Sequence, residues 1–312
     1  MTDVLAAALA DVLTARSVTD LVRLSGGASR DTYRFVADGT PLILQRQRAG
    51  DVRDMGNEAL VVRAAGAAGA PVADVVASST DPSALGSAFM VVTAVEGETI
   101  ARKILRDDRF RHAREVLPAQ LGAALAQVHA VDTFGLSSLP TADQVRQYRE
   151  ALDQMGQPHP AFELAFKWLD ANRPEVGPPV LVHGDFRLGN VIVGDDGLRA
   201  VIDWELAHLG DPMEDLGWLC VKAWRFGSSL PVAGVGEYRQ LFEAYEAAGG
   251  GAVDPDVVRW WEVLGTLKWG VMCIMQANAH VAGLTRSHEL AAIGRRVCEN
   301  EHDLFLALEG RW

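Results

Sequence analysis

Apolar residues return at helical spacing through most of this chain, but in two places they alternate with polar ones at the two-residue period of a strand. The opening segment "MTDVLAAALADVLTARS" reads as an amphipathic helix. Alternating runs follow at Tyr33–Val36 and Leu42–Gln45, joined by "ADGT", whose Asp-Gly pair favours a tight turn; with "SAFMVVTAVEG" they predict a small antiparallel sheet. Between them Leu60, Val61 and Ala64 have helical spacing, with a stop at Gly66 or Gly69 before Pro71. From Glu96 onward the pattern is helical: Leu117, Leu121, Leu125 and Val128 form one stripe, and Tyr238–Ala247, Val257–Val281 and His288–Leu308 read similarly. The exception lies after the stiff connector "PEVGPP", where "VIV" and "RAVID" flank "GDDG" as a second hairpin.

The 312 residues exceed a comfortable single core. The expected architecture is therefore α+β and bilobal, with a small antiparallel β-sheet lobe over residues 1–95 and a larger, mainly helical lobe over 96–312. An acidic hairpin sits near their junction, and ligands favour clefts between lobes.

Composition narrows the partners. A formal charge of −12 argues against nucleic acid, which needs clustered Lys and Arg. That charge could suit a cationic substrate, but solubility explains it as well. Asp3 and Asp11 stand where a secretory signal would carry basic residues. The longest uncharged stretch, Trp269 to Thr285, is short for a membrane span and contains Gln276, Asn278 and His280. Cys220, Cys273 and Cys298 are widely spaced with no C-x-x-C pair, as in a reducing compartment, and the first two sit in apolar surroundings. The expectation is a cytoplasmic protein that is not membrane-bound.

The candidate chemistry lies in "HGDFRLGNVIVGDDGLRAVIDWE", from His183 to Glu205. Carboxylates near a core are costly unless compensated, and folding of this hairpin can bring Asp185, Asn190 and Asp203 together. Such a set suits Mg²⁺, which takes one or two protein oxygens and completes its shell with water and substrate phosphates. Asn190 and Asp203 would be the ligands, and Asp185, if not coordinated, could accept a hydrogen bond from an acceptor hydroxyl and orient it on a phosphorus atom. The bland alternative is a solvated turn with capping residues. Asp211 and Asp215 read as a turn organiser and a brace of the helix after Pro212. Gly26, Gly27 and Ser29, in "SGGAS", could bring backbone N–H groups onto phosphate oxygens, a weak signal alone. All eight tryptophans lie in the second half; most read as core, with Trp218, Trp224 and Trp269 open to an acceptor pocket.

H-G-D-x-x-x-x-N followed by I-D-W resembles the catalytic core of the aminoglycoside phosphotransferase family, kinase-fold relatives of choline kinase. "LSGGASRDTYRF" looks like its phosphate-covering loop, "NEALVVRAAG" its αC-like helix, and "FMVVTAVEGE", with Thr93 and Val95, its hinge. "HGDFRLGN", "AHLGDPMEDLGW" and "KWGVMCIMQ" are most similar to the branch associated with acyl-CoA dehydrogenases, whose substrates are thought to be hydroxyacyl thioesters.

The resemblance implies an ATP- and Mg²⁺-dependent kinase acting on the hydroxyl of a small molecule. Asp185 would be the base, Asn190 and Asp203 the metal ligands, His183 a holder of the loop, and Arg187 a cation facing the transferred phosphate. One departure stands out: the basic residue expected near the end of the third strand falls on Gln45, in "LILQRQR". Arg46 is taken in its place, paired with Glu58, on the assumption of a bulge. Gln45 motivates a second reading, a catalytically silent nucleotide-binding module; metal-dependent phosphate hydrolysis is a third. Acceptor, nucleotide base and oligomeric state stay open.

Overall fold

In the computed structural model, which describes residues 2–24, 30–48 and 54–311, the first hairpin is the centre of a five-stranded antiparallel sheet. Strands β1 (Val18–Arg23), β2 (Arg30–Ala37), β3 (Thr40–Gln47), β4 (Val75–Ser79) and β5 (Phe89–Thr93) lie in the order β1-β2-β3-β5-β4. Asp38 and Gly39 make the turn, with φ of 46° and 85°, the left-handed pair that a two-residue hairpin needs. On one face Phe35, Leu42, Leu44 and Val91 pack with Leu9 of helix α1 (Thr2–Leu13). The other face, with Ile43, Met90 and Val92, packs with Ala59 and Val62 of α2 (Met55–Ala67). Asp54 caps α2 by accepting from Gly56 N and Asn57 N. The helical stripe is turned slightly from the expected one: Val61 is buried, but Leu60 points outward and is 42% exposed.

The chain leaves β5 through Gly97, whose backbone runs against β7 (Val191–Gly194): Glu98 and Val193 exchange N–H···O bonds of 2.9 and 3.0 Å. The helices then follow: α3 (Ala101–Arg106), α4 (Arg111–His129), α5 (Gln144–Met155) and α6 (Pro160–Ala171). On α4 the predicted stripe Leu117, Leu121, Leu125 and Val128 is fully buried, so each Leu→Ala change there would cost about 2–5 kcal/mol.

Strands β6 (Val180–Val182), β7, β8 (Gly197–Val201) and β9 (His208–Gly210) form two small antiparallel pairs, β7-β8 and β6-β9. The second pair was not read from the sequence, because three residues are too few to show alternation. Helices α7 (Met213–Cys220), α8 (Tyr238–Ala247) and α9 (Pro255–Val281) complete the centre, with α9 packed against α5, α6 and α7. The single helix expected over His288–Leu308 is two, α10 (His288–Ile293) and α11 (Val297–Leu308), separated by a 3₁₀ turn at Gly294–Arg296. Cys220 and Cys273 are core residues. No helix among the described residues is long and apolar enough to cross a membrane.

Candidate active site

Strand β6 delivers His183 to a loop that runs to Asn190 and is held from behind by Asp215 on α7. The buried Asp215 carboxylate accepts from His183 N at 2.8 Å, Gly184 N at 2.9 Å and His129 Nε2 at 3.2 Å. Burial works against its charge, but these donors outweigh burial and hold the carboxyl below its usual range. Its role differs from the expected one: Asp215 braces the loop before it, not the helix it sits on, whereas Asp211 organises the turn as expected, accepting from Met213 N at 2.8 Å.

Gly184 has φ of 79°, and a Cβ there would meet the Leu206 carbonyl oxygen at 2.5 Å, so only glycine fits. From α9, Lys268 Nζ donates to the Gly184 carbonyl at 3.2 Å and lies 4.6 Å from the centre of the Trp218 ring. Burial drives the His183 imidazole below its usual pKa, so the ring is neutral. Nε2 then donates to the Ile202 carbonyl at 3.1 Å and Nδ1 accepts from Asp185 N at 3.2 Å.

Asp215→Asn is expected to destabilise the chain by about 3 kcal/mol, because an amide cannot accept from all three donors. A depressed carboxyl contributes stability above its unfolded pKa that is lost as pH falls through its folded pKa. The variant should therefore also show a weaker acid dependence of unfolding below the ordinary carboxyl pKa of 3.8, measured by urea titration from about pH 5 down to about pH 2.

The loop presents Asp185 with its carboxylate fully engaged. Oδ1 accepts from Trp218 Nε1 at 2.8 Å and Arg187 Nε at 3.1 Å, and Oδ2 from Asn190 Nδ2 at 2.5 Å. The guanidinium of Arg187 also lies 5.0 Å from the centre of the Trp224 ring. These partners fix the rotamer of an acid whose side chain is 17% exposed.

The hairpin brings the other two residues alongside. Val191 pairs with Val201, and Ile202 N donates to the Asn190 carbonyl at 3.0 Å, so Asn190 precedes β7 where Asp203 follows β8. Asn190 uses its amide nitrogen on the Asp185 carbonyl oxygen (2.9 Å) and carboxylate, leaving Oδ1 as its free acceptor among the described residues. Asp203 is held at φ of 67°, a left-handed conformation that Asp tolerates better than most residues. Burial, then Glu205, Asp185 and Glu58, push its carboxyl up to about 6 against the pull of Arg30.

A divalent ion fits this donor set: a half-buried carboxylate crowded by others, with a free amide oxygen at the other end of the hairpin. Among the described residues no three His, Cys, Asp or Glu side chains form a metal cage, so the remaining ligands would come from phosphate and water.

The basic residue of the sheet is not the one expected. β3 pairs without a break with both β2 and β5, so there is no bulge. Arg46 therefore shares the face of Leu42 and Leu44, where it donates to the Leu85 carbonyl at 2.9 Å and lies over Tyr33; it is not the partner of Glu58. Gln45 faces the cleft, and the cation there is Arg30 of β2. Its guanidinium, in a residue only 6% exposed, pairs with Glu58 at 2.5 Å, reaches Gln45 Oε1 at 3.2 Å and Glu205 at 3.4 Å. Burial opposes its charge, but Glu58 outweighs burial and raises its pKa.

Sequence reasoning missed Arg30, Glu205 and Lys268. The available signal for Arg30 was a basic residue opening the strand after the glycine loop, on the cleft face by alternation with Thr32 and Arg34. Gly26, Gly27 and Ser29 lie outside the described residues. Thr93 ends β5 with its hydroxyl accepting from Asp74 N at 3.0 Å, and Val95 lies just beyond it on the connection.

Comparison with known proteins identifies the fold and the family. The chain is 29% identical to mouse acyl-CoA dehydrogenase family member 10 over 230 residues, 68% of this chain but 21% of that protein. It therefore spans about a fifth of that relative. A structure of a Ralstonia eutropha protein, described as a candidate aminoglycoside phosphotransferase, superposes with a TM-score of 0.74 at 21% identity, covering 93% of this chain and 92% of that one. An aminoglycoside phosphotransferase solved with ADP and hygromycin B superposes with a TM-score of 0.64 at 18% identity over 96% of both chains. These likenesses show a bilobal kinase-like fold. The phosphotransferase enzyme family matches residues 20–261, and the chain belongs to that family.

Proposed function

We propose that the chain transfers the γ-phosphoryl group of ATP, held with Mg²⁺, to a hydroxyl of a small molecule. The observation that carries this reading is the convergence of Asp185, Asn190 and Asp203, with Asp203 pushed up to about 6 among other carboxylates. Solved relatives with ADP or hygromycin B support the nucleotide and acceptor sides. Asn190 Oδ1 and Asp203 would hold the metal, whose charge would offset that of the phosphates.

The residues of the chain do the rest by position and charge. Asp185, its rotamer set by Trp218 and Asn190, accepts the proton of the acceptor hydroxyl as the oxygen approaches phosphorus. Arg187 neutralises equatorial phosphoryl oxygens. His183 holds the loop and transfers no proton in the reaction. The backbone around Thr93 and Val95 receives the base, and the segment with Gly26, Gly27 and Ser29 covers the phosphates. The branch resemblance and the acyl-CoA dehydrogenase relatives favour an acceptor of hydroxyacyl type.

Arg30 bears on the silent-module reading. With Arg30 in the cleft, Gln45 is no longer evidence against catalysis, since the α- and β-phosphates have a cation held by Glu58. Arg30→Gln is expected to raise the KM for ATP about tenfold. Arg30→Gln/Gln45→Arg, which returns the cation to β3, should recover most of that loss; ATP titrations of the two variants decide it. The function itself is tested by titrating Mg·ATP calorimetrically and screening hydroxylated metabolites for ADP release, with products confirmed by mass spectrometry. Tight binding without transfer to any acceptor would favour the silent module, and free phosphate as the sole product would favour hydrolysis.

A further inference from the structure

Behind Trp224 a cavity of about 640 Å³ opens between α3, the turn after α7 and α11. Its lining carries five Arg or Lys side chains against two carboxylates, in a chain whose net charge is −12. The carboxylates are already matched: Lys222 Nζ pairs with Asp303 at 2.7 Å and Arg296 with Glu299 at 3.1 Å. Arg225 turns inward to the Cys220 carbonyl at 2.8 Å.

That leaves Arg102 and Arg106, one helical turn apart on α3, with no ion-pair partner among the described residues. The acids nearest them in sequence are committed elsewhere, Asp107 to Arg109 N and Asp108 to Arg111. Both residues are exposed, so their guanidiniums are hydrated and open to an incoming anion, and planar forks of this kind match phosphate oxygens.

A cluster of buried tryptophans connects the catalytic base to Arg296 on the lining of this cavity. Trp218, which donates to Asp185, stacks at 5.2 Å on Trp224, and Trp224 at 4.9 Å on Trp269. Arg187 lies over Trp224 and Arg296 over Trp269. The cluster thus ties the base to the basic cavity through three indoles, and 640 Å³ is room for a small organic ligand.

We infer that this basic cavity binds the phosphate-bearing end of the acceptor, so that the enzyme phosphorylates a hydroxyl compound that is already anionic. The inference rests on the kinase reading above and sharpens its substrate class. A polycationic aminoglycoside would meet like charge here. Its alternative place is a smaller cleft of about 320 Å³ lined by Tyr148, Glu205 and Lys268, which offers a carboxylate.

The test uses the full chain and three acceptor panels: phosphate-bearing hydroxyl compounds (hydroxyacyl-CoA thioesters, phosphorylated polyols and sugars), uncharged polyols, and aminoglycosides. ADP release should be fastest with the phosphorylated panel. Arg102→Ala/Arg106→Ala should raise the KM for those acceptors at least tenfold, leaving kcat within about threefold and the KM for ATP unchanged; Arg102→Lys/Arg106→Lys should recover part of the loss. Preference for aminoglycosides or uncharged polyols, with the double alanine variant indifferent, would overturn the inference while leaving the kinase intact.

Binding without turnover is read separately. Fructose 1,6-bisphosphate titrated into the parent chain should lose at least tenfold in affinity in the double alanine variant. Equal affinity in both proteins would overturn the inference even if no acceptor is ever phosphorylated, whereas failure of Mg·ATP to bind would count against the kinase reading alone.

Discussion

Asp185→Asn is expected to lower kcat by about two to four orders of magnitude while changing the affinity for Mg·ATP less than about threefold. Asparagine keeps the shape of the side chain, and its amide oxygen can still accept from Trp218 or Asn190. What it loses is the capacity to take a proton and the charge that Arg187 answers. Asp185→Ala would lose the anchoring of Trp218, Arg187 and Asn190 as well, so the asparagine variant separates chemistry from scaffolding. ADP release under saturating acceptor and a calorimetric Mg·ATP titration give the two numbers. Turnover within tenfold of the parent would remove Asp185 from the role of base.

Asp203→Asn should act in opposite directions on binding and on stability. A neutral amide is a poor ligand for a hard cation, so Mg·ATP affinity should fall by about a hundredfold or more. The protein without ligand should nevertheless become more stable. The carboxyl binds its proton more tightly folded, at about 6, than at its ordinary value of 3.8. Its contribution is therefore fully present below the unfolded pKa, declines as pH rises through the window between the two values, and is unfavourable at neutral pH. Asparagine removes that cost, on the order of 3 kcal/mol.

Thermal melts at pH 7 with and without Mg·ATP should show the variant melting a few degrees higher alone and gaining nothing from the nucleotide. A variant that melts lower without ligand, or that keeps the ligand-induced gain, would contradict the geometry. Sites that hold charge for a ligand are often unfavourable to the unliganded fold, and Asp203 has the environment for that trade.

Arg30 shows where the linear reading ran out. Strand period alone assigns Gln45 to the cleft face and Arg46 to the opposite one, and the unbroken pairing of β3 with β2 and β5 agrees with that period. The bulge assumed for Arg46 was a device to supply a cation. The cation instead comes from the neighbouring strand, because the register that pairs Thr32 with Gln45 sets Arg30 diagonally next to it and under Glu58. A register between two strands is a relation across a turn and a sheet, and no local pattern states it.

Leu60 and the helix after Arg286 differ for a related reason. Helical spacing identifies an apolar stripe, but the sheet beneath α2 selects Val61 and Val62 over Leu60. The turn at Gly294–Arg296 interrupts a pattern that reads as continuous.

By itself the sequence determined the elements whose cause is local: the Asp38-Gly39 turn, the stripe of α4, and the acidic hairpin whose short connection forces Asn190 and Asp203 together. It also determined the chemical types at that hairpin, since a carboxylate and an amide at those positions suit one class of cation. Only the tertiary structure decided which groups surround them. Asp215 grips the loop from 31 and 32 residues away, Lys268 from 84, and Arg30 reaches Glu205 across 175. Those contacts exist because burying the apolar faces of α7, α9 and the sheet brings distant charges into a space of low dielectric, where each must find a partner or shift its pKa.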